Sequence, residues 1–458
     1  MMKKESTKGD VKMKIDLSKA VIYALYPRTF TAEGTLKEAE KLIPHLYNLG
    51  IDIIYLSVCN TEDTSEDCMS VRQIASGLNN TKNPYRITDY FNIDEEFGTM
   101  EDLRDFVKTA HEYGIKVLVD LVYLHCGLNA VFHKEHPEFV IRDENGEIIL
   151  GDRWPFARFN YNEQSLREYL WSNMEFYIKD INADGFRCDV GDDIPLDFWA
   201  EGIRRIKDIN PDVIMLNEGS DPAFLKEFDM NYGFPTIFAL NDVFLDAEDK
   251  RRGVAMNPEK ERMTVNGFKD VFLNTYATIP EGKFILINSQ NHDTASDLAE
   301  RRPDMYLGRY GAEAILALLF TMKGVPMIYN GDEVADTAPK SMYWNRFFPG
   351  SMSVQWQNLL TEDGEQRLEF VKKLIRLHHY NDTIAYGDFK WYENECDEDV
   401  IAFVRTSDKT QVVVMVNTTR EEKKFAICEN GKIILTNNAK VKKDIAILDA
   451  YGVLIIEY

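Results

Sequence analysis

The chain has 458 residues, enough for one large domain and a smaller one at the usual ~100 to 200 residues per domain. Acids outnumber bases by 76 to 53, a formal net charge of -23. That balance argues against nucleic acid or an anionic membrane as partner, since both need a basic surface, and leaves a neutral or cationic small molecule.

The opening stretch, MMKKESTKGDVKMKIDLSKA, starts basic but has no apolar run of signal-peptide length, and no later segment offers about 18 uncharged apolar residues in a row. A soluble, cytoplasmic protein is expected. Its cysteines, Cys59, Cys68, Cys126, Cys188, Cys396 and Cys428, include no C-x-x-C pair, so reduced thiols are expected and neither zinc nor a disulfide framework is indicated.

Short, nearly continuous apolar runs then recur along the chain. They begin at Val21 (VIYALYP), Ile51 (IDIIYLSV), Ile115 (IKVLVDLV), Gly185 (GFRCDV), Val213 (VIMLNEG), Phe284 (FILINSQ) and Val325 (VPMIYNG). Such runs suit strands buried on both faces. An eighth strand is placed near FDMNYGF, between Phe228 and Phe234. Amphipathic helices separate them: Leu103, Phe106, Val107 and Ala110 share a face after a capping box at Thr99 and Asp102, Leu166, Leu170, Met174 and Tyr177 repeat the pattern, and so do Trp199, Ile203 and Ile206. Strand and helix in alternation predict an α/β fold, a closed (β/α)8 TIM barrel. The stretch from Cys126 to Tyr161 lacks a barrel helix and reads as a small subdomain inserted after the third strand. From about Asp382 the runs DVIAFVRT, QVVVMVN, KIILT and YGVLIIEY predict a C-terminal antiparallel β-domain. The expected division is a barrel over 1–125 and 162–381, an insertion over 126–161, and a β-sandwich over 382–458.

A barrel gathers the C-terminal ends of its strands around one pocket. The third strand ends in Asp120 and His125, the fourth in Arg187 and Asp189, the fifth in Glu218 and the seventh in Asn291, His292 and Asp293. Alternate residues of a strand share a face, so Arg187 and Asp189 should project together, and the guanidinium should lower the pKa of the carboxylate and keep it ionised. Any one of these residues could be a cap or a salt bridge; together they form a set. Two carboxylates in one cleft, one ionised and one protonated, suit glycoside hydrolysis. The competing metal reading is weaker, because these acids and histidines lack H-x-x-x-H or D-x-D spacing and Arg187 would repel a cation.

With these residues in place, the sequence resembles the alpha-amylase family, glycoside hydrolase family 13, over nearly its whole length. The carrying segments are PYRITDYFNIDEEFGTMEDLRDFVKTAHEYGIKVLVDLVYLH, DGFRCDV, MLNEG, NHD and GVPMIYNGDE. The resemblance implies Asp189 as nucleophile, Glu218 as general acid and base, and Asp293 as the third acid holding a distorted sugar. It implies sugar contacts from His125, Arg187 and His292, with Tyr85 stacking beneath the ring and Asp120 supporting from behind; Trp154 and Phe156 are candidates for further stacking. In this family a structural calcium is common, but Leu124 stands where an asparagine ligand is usual and Arg158 where an aspartate is, so no metal and no other cofactor is expected, with the Arg158 charge partly replacing the ion. Met342 stands where many members carry an acid that pairs with an arginine, here Arg346, to touch a second sugar. The N-terminal β-domain of neopullulanases and cyclomaltodextrinases is expected to be missing, and the sequence sets no oligomeric state. The expected partner is an α-glucan or maltooligosaccharide, cleaved at α-1,4 bonds with retention through a covalent intermediate. A glucanotransferase or isomerising transferase would use the same residues, and a carbohydrate-binding protein without catalysis would keep only the fold.

Overall fold

Along each expected strand the side chains divide by parity, and the division produces two separate cores. Ile22 and Ala24, Ile53 and Tyr55, Leu118, Ile214 and Leu216, Met230 and Tyr232, Leu286, Val325 and Met327 fill one cluster inside a barrel. The intervening Tyr23 and Leu25, Ile54 and Leu56, Val117 and Val119, Phe186 and Cys188, Met215, Ile285 and Ile328 face a surrounding layer of helices. The computed structural model describes residues 14–66, 69–78, 80–151, 154–245, 262–295, 302–344 and 352–458.

The barrel strands are β1 (Ile22–Leu25), β2 (Ile53–Leu56), β3 (Lys116–Leu121), β4 (Gly185–Cys188), β5 (Ile214–Asn217), β6 (Met230–Tyr232), β7 (Phe284–Ile287) and β8 (Val325–Tyr329). They pair in parallel in sequence order, and β1 closes on β8. The strand expected between Phe228 and Phe234 is β6. The helices follow the expected faces: Thr99 and Asp102 form the capping box of Met100–Glu112, whose Leu103, Phe106, Val107 and Ala110 are buried. Gln164–Lys179 and Leu196–Ile209 bury the residues named for them.

After β3 the chain runs through two 3-10 turns and short antiparallel pairings instead of a helix; His125–Cys126 pairs with Ala157–Arg158. At the C-terminal end, β9 (Asp388–Trp391), β10 (Val400–Thr406), β11 (Gln411–Asn417), β12 (Lys423–Ala426), β13 (Lys432–Lys442) and β14 (Ile445–Glu457) form one hydrogen-bonded antiparallel sheet rather than the two of a sandwich. The reason lies in β14. It pairs with β13 along its length, while its other edge takes β12 at Ile445–Leu448 and β11 at Val453–Glu457, so a single strand spans what two sheets would divide. Positive φ at Asn438 and Tyr451 kinks the hairpin and lets the sheet close over a small core of Val400, Met415, Phe425, Leu448 and Leu454. Its other face, with Ile401, Phe403, Val414 and Ile455, belongs to the main core. Among the described residues no helix is long and apolar enough to cross a membrane, and Cys59, Cys126, Cys188, Cys396 and Cys428 make no disulfide; Cys68 lies outside them.

Candidate active site

Strand parity turns Arg187 into the barrel, since Phe186 and Cys188 on either side face the helices. The strand needs a glycine at its start: β4 lies so close to β5 that a Cβ on Gly185 would fall 1.9 Å from the carbonyl oxygen of Ile214, and the residue has φ 155°. Asp189 follows one residue past β4, its N–H donating to Leu121 at 2.9 Å, and Glu218 one residue past β5, its N–H donating to Cys188 at 3.0 Å. The strand ladder therefore sets both acids at the rim.

Arg187 is fully buried and organises the group. Its Nη1 donates to Asp120 Oδ1 at 2.7 Å and to Asp189 Oδ1 at 2.9 Å, while Nη2 pairs with Glu218 Oε1. The other oxygen of Glu218 accepts the Val190 N–H at 2.9 Å. Tyr55 donates to Asp120 Oδ2 at 2.6 Å and its ring lies 5.6 Å from the guanidinium carbon; Tyr232 lies 6.0 Å from it on another side. A buried charge is tolerable only when so surrounded.

The contact between Arg187 and Asp189 is as expected, but its consequence is not. Burial raises the pKa of Asp189 well above the ordinary value; Arg187 opposes this, while Glu218, Asp120 and Asp293 add to it. Sequence spacing showed one guanidinium beside one acid. The barrel brings two further carboxylates, Asp120 and Glu218, to the same guanidinium and the charge of Asp293 to bear on Asp189, in a pocket where Asp189 is only 5% exposed.

The remaining candidates gather on the opposite side. Asn291 Oδ1 accepts the N–H groups of Asp293 and Thr294, both at 3.0 Å, and this turn presents Asp293 to the cleft with 42% of its side chain exposed. His292 Nε2 lies 3.7 Å from Asp293 and 2.5 Å from the Tyr85 hydroxyl, and the Tyr85 and His292 rings stack at 5.6 Å. Tyr85 also reaches Asp120, at 3.5 Å. His125 is buried with the Phe156 ring edge-on at 4.7 Å and Trp154 at 5.9 Å; burial, helped by the nearby Arg158 charge, holds its pKa down to about 3, so it is a neutral donor or acceptor. Phe156 thus packs under His125 and is 3% exposed, which leaves it no free face for a sugar. Arg346 lies outside the described residues.

At the positions where the family resemblance implies calcium, the side chains do not fit an oxygen-seeking cation. Leu124 is packed in the main core and Arg158 is exposed. No three His, Cys, Asp or Glu among the described residues converge as metal ligands.

Sequence reasoning missed Tyr55 and Tyr232, and it placed Asn291 at the seventh strand end without giving it a role. Tyr55 and Tyr232 could have been found from parity, since each is a polar-tipped residue on the inward face of its strand. Asn291 carries the signal of an Asx turn, a side-chain oxygen two residues before the N–H it caps.

The fold agrees with the comparisons. A model of the alpha-amylase catalytic domain matches residues 8–145 and 153–384, and the chain belongs to that family of enzymes. Among curated relatives, a cyclomaltodextrinase from a Bacillus species is 25% identical over 88% of this chain and 73% of its own length. A maltogenic alpha-amylase from Bacillus acidopullulyticus is 24% identical over 75% of this chain, which spans only 58% of that relative. Among solved structures, the noncanonic maltogenic alpha-amylase AmyB from Thermotoga neapolitana aligns over 96% of this chain and 99% of its own, with a TM-score of 0.78 at 24% identity. An alpha-amylase from Lactobacillus plantarum aligns over the same share of this chain, again with a TM-score of 0.78, at 22% identity.

Proposed function

We propose that the chain is a retaining glycosidase that cleaves α-1,4-glucosidic bonds in maltooligosaccharides or related α-glucans. The observation that carries this reading is the placement of Asp189 and Glu218 on the two terminal nitrogens of one buried guanidinium. Sharing Arg187 favours the narrow carboxyl spacing of about 5 to 5.5 Å used in retention over the roughly 6.5 to 9.5 Å that leaves room for an inverting water.

In the first step the Asp189 carboxylate forms an ester bond to the anomeric carbon as the glycosidic bond breaks, and protonated Glu218 gives its proton to the departing oxygen. In the second, Glu218 takes a proton from water, the water oxygen bonds the anomeric carbon, and the ester breaks to restore the Asp189 anion. Arg187 loses Glu218 as an ionic partner when that acid is protonated, and its charge is then shared by Asp189 and Asp120 alone. Asp293 and His292 would hold the sugar hydroxyls of a glycone, and Tyr85, stacked on His292, would offer the adjoining wall. We further propose that no calcium is needed, because Leu124 and Arg158 offer no oxygen at the two positions in question. A cytoplasmic setting is in keeping with a relative from Bacillus subtilis named intracellular maltogenic amylase, 26% identical over 84% of this chain.

The test is a timed product profile on maltoheptaose by chromatography, with Asp189→Asn beside the wild type and EDTA in a parallel reaction. Shorter maltooligosaccharides or glucose are expected, unchanged by EDTA, with kcat down at least about 1000-fold in the variant, equivalent to about 4 kcal/mol of barrier. Products longer than the substrate would instead assign a transferase, and loss of activity in EDTA would refute the calcium-free reading.

A further inference from the structure

We propose that the enzyme attacks linear α-glucans only from their non-reducing ends, removing one glucosyl unit at a time, because a lock between the loops after β2 and β8, closed by Asn80, walls off the cleft beyond Tyr85. The inference rests on the glycosidase reading above and specifies its substrate.

Barrel order gives the cleft a direction. The leaving group must lie beside Glu218, at the end of β5, because Glu218 protonates it. In a ring of eight strands β1 stands opposite β5 and β8 opposite β4. The non-reducing side of the bound sugar therefore faces Tyr26 after β1, Tyr85 in the β2 loop and the residues after β8.

On that side the two loops are joined. The Asn80 side-chain N–H donates to the carbonyl of Tyr343 at 2.7 Å. One residue earlier, the carbonyl of Met342 accepts from Arg28 Nη1 at 2.6 Å and from the Tyr26 hydroxyl at 3.0 Å. Arg28 is itself fixed by buried Glu62, at 2.5 Å, and by Glu96, at 3.0 Å. Asn80 is held in turn by its own loop: Gln73, buried, donates through its one side-chain nitrogen to the carbonyls of Asn80, Thr81 and Lys82 at 2.7, 2.9 and 3.1 Å. Each partner is thus positioned by a second buried group.

Among the described residues, the burial of Met342 and Tyr343 supports a seal. If the cleft continued past Tyr85, Met342 and Tyr343 would line it and be wet, yet each is 3% exposed and both pack in one cluster with Tyr26, Leu78 and Tyr85. A sugar bound beyond the first would have to displace them, and Met342 offers it no side-chain hydrogen-bond acceptor like that of a carboxylate. Asn80 acts through the Tyr343 backbone and is a positioning residue.

The experiment compares maltoheptaose, p-nitrophenyl maltoheptaoside with its non-reducing glucose blocked by a 4,6-ethylidene group, and β-cyclodextrin, with products resolved by chromatography. The wild type should release glucose stepwise from maltoheptaose and turn over the blocked and cyclic substrates at least about 100-fold more slowly, since a sealed wall rejects by steric exclusion. In Asn80→Ala the blocked-to-open ratio should rise at least about tenfold, a change that mere loss of stability would not produce because it lowers both rates together. Cleavage of the blocked or cyclic substrate within about threefold of maltoheptaose by the wild type, or an unchanged ratio in the variant, would overturn the inference while leaving the glycosidase reading intact. Failure to hydrolyse any of the three would overturn both.

Discussion

Arg187 is asked to satisfy more acids than it can neutralise. Asp120, Asp189 and Glu218 all contact it, and Asp293 adds its charge to Asp189 from across the cleft. The excess negative charge works against a nucleophile that must be an anion. Because burial and these neighbours raise the pKa of Asp189, kcat/KM should fall on acidification at a pH above the ordinary aspartate range near about 4. Asp120→Asn removes one of the raising charges while keeping a group that can still meet Tyr55. The acid limb of the kcat/KM profile should then move to lower pH; a limb that stays in place or rises would show that Asp120 does not tune the nucleophile. The pairing of Arg187 with Asp189 was legible from their spacing, but the sign of the net shift was not, since it depends on Asp120, Glu218 and Asp293, which are 69, 29 and 104 positions from Asp189 and which only barrel closure brings together.

At the scale of elements, the strands were readable because burial on both faces leaves a continuous apolar run, and an inward polar residue interrupts it at a definite parity. Gly185 is the element-level constraint with the sharpest consequence. Its φ of 155° and the 1.9 Å approach to Ile214 leave no place for a Cβ. Gly185→Ala should destabilise the protein by at least about 2 kcal/mol through backbone strain and overpacking together, seen as a lower midpoint in denaturant unfolding. An unchanged midpoint would mean that β4 and β5 can separate freely, and the positions of Asp189 and Glu218 would then not be set by the strand ladder. The C-terminal strands were readable too, but their arrangement as one folded sheet was not. Pairing of β14 with three partners depends on kinks at Asn438 and Tyr451, and while asparagine is common at positive φ, nothing local marks Tyr451 for it.

The molecule as a whole is joined through the helix Gly308–Thr321, buried from Gly311 to its end and apolar there apart from Glu313 and Thr321. One side packs on the barrel and the other on the C-terminal sheet; Arg405 Nη1 donates to the carbonyl of Thr321 at 3.2 Å and Asn437 to Glu313 Oε2 at 2.7 Å. A helix without a polar face needs cover on both sides. A chain ending after Tyr386 would expose that helix and should be recovered as aggregate rather than as soluble, folded barrel; a soluble, cooperatively unfolding product by sedimentation and thermal melting would show that the sheet is not needed to cover the barrel. The inserted segment after β3 and the Asn80 lock act at the same scale, since each sets one wall of a cleft whose floor is the barrel.

The sequence by itself determined the barrel, its eight strands and the identity of the acids at their ends, because buried strands and the residues that interrupt them obey a local period that survives in one dimension. Tertiary structure alone decided how charges at distant positions share Arg187, how the last strands pair, and how the loops after β2 and β8 meet. Those outcomes depend on distances between groups far apart in the chain, and on desolvation that exists only once the barrel has closed around them.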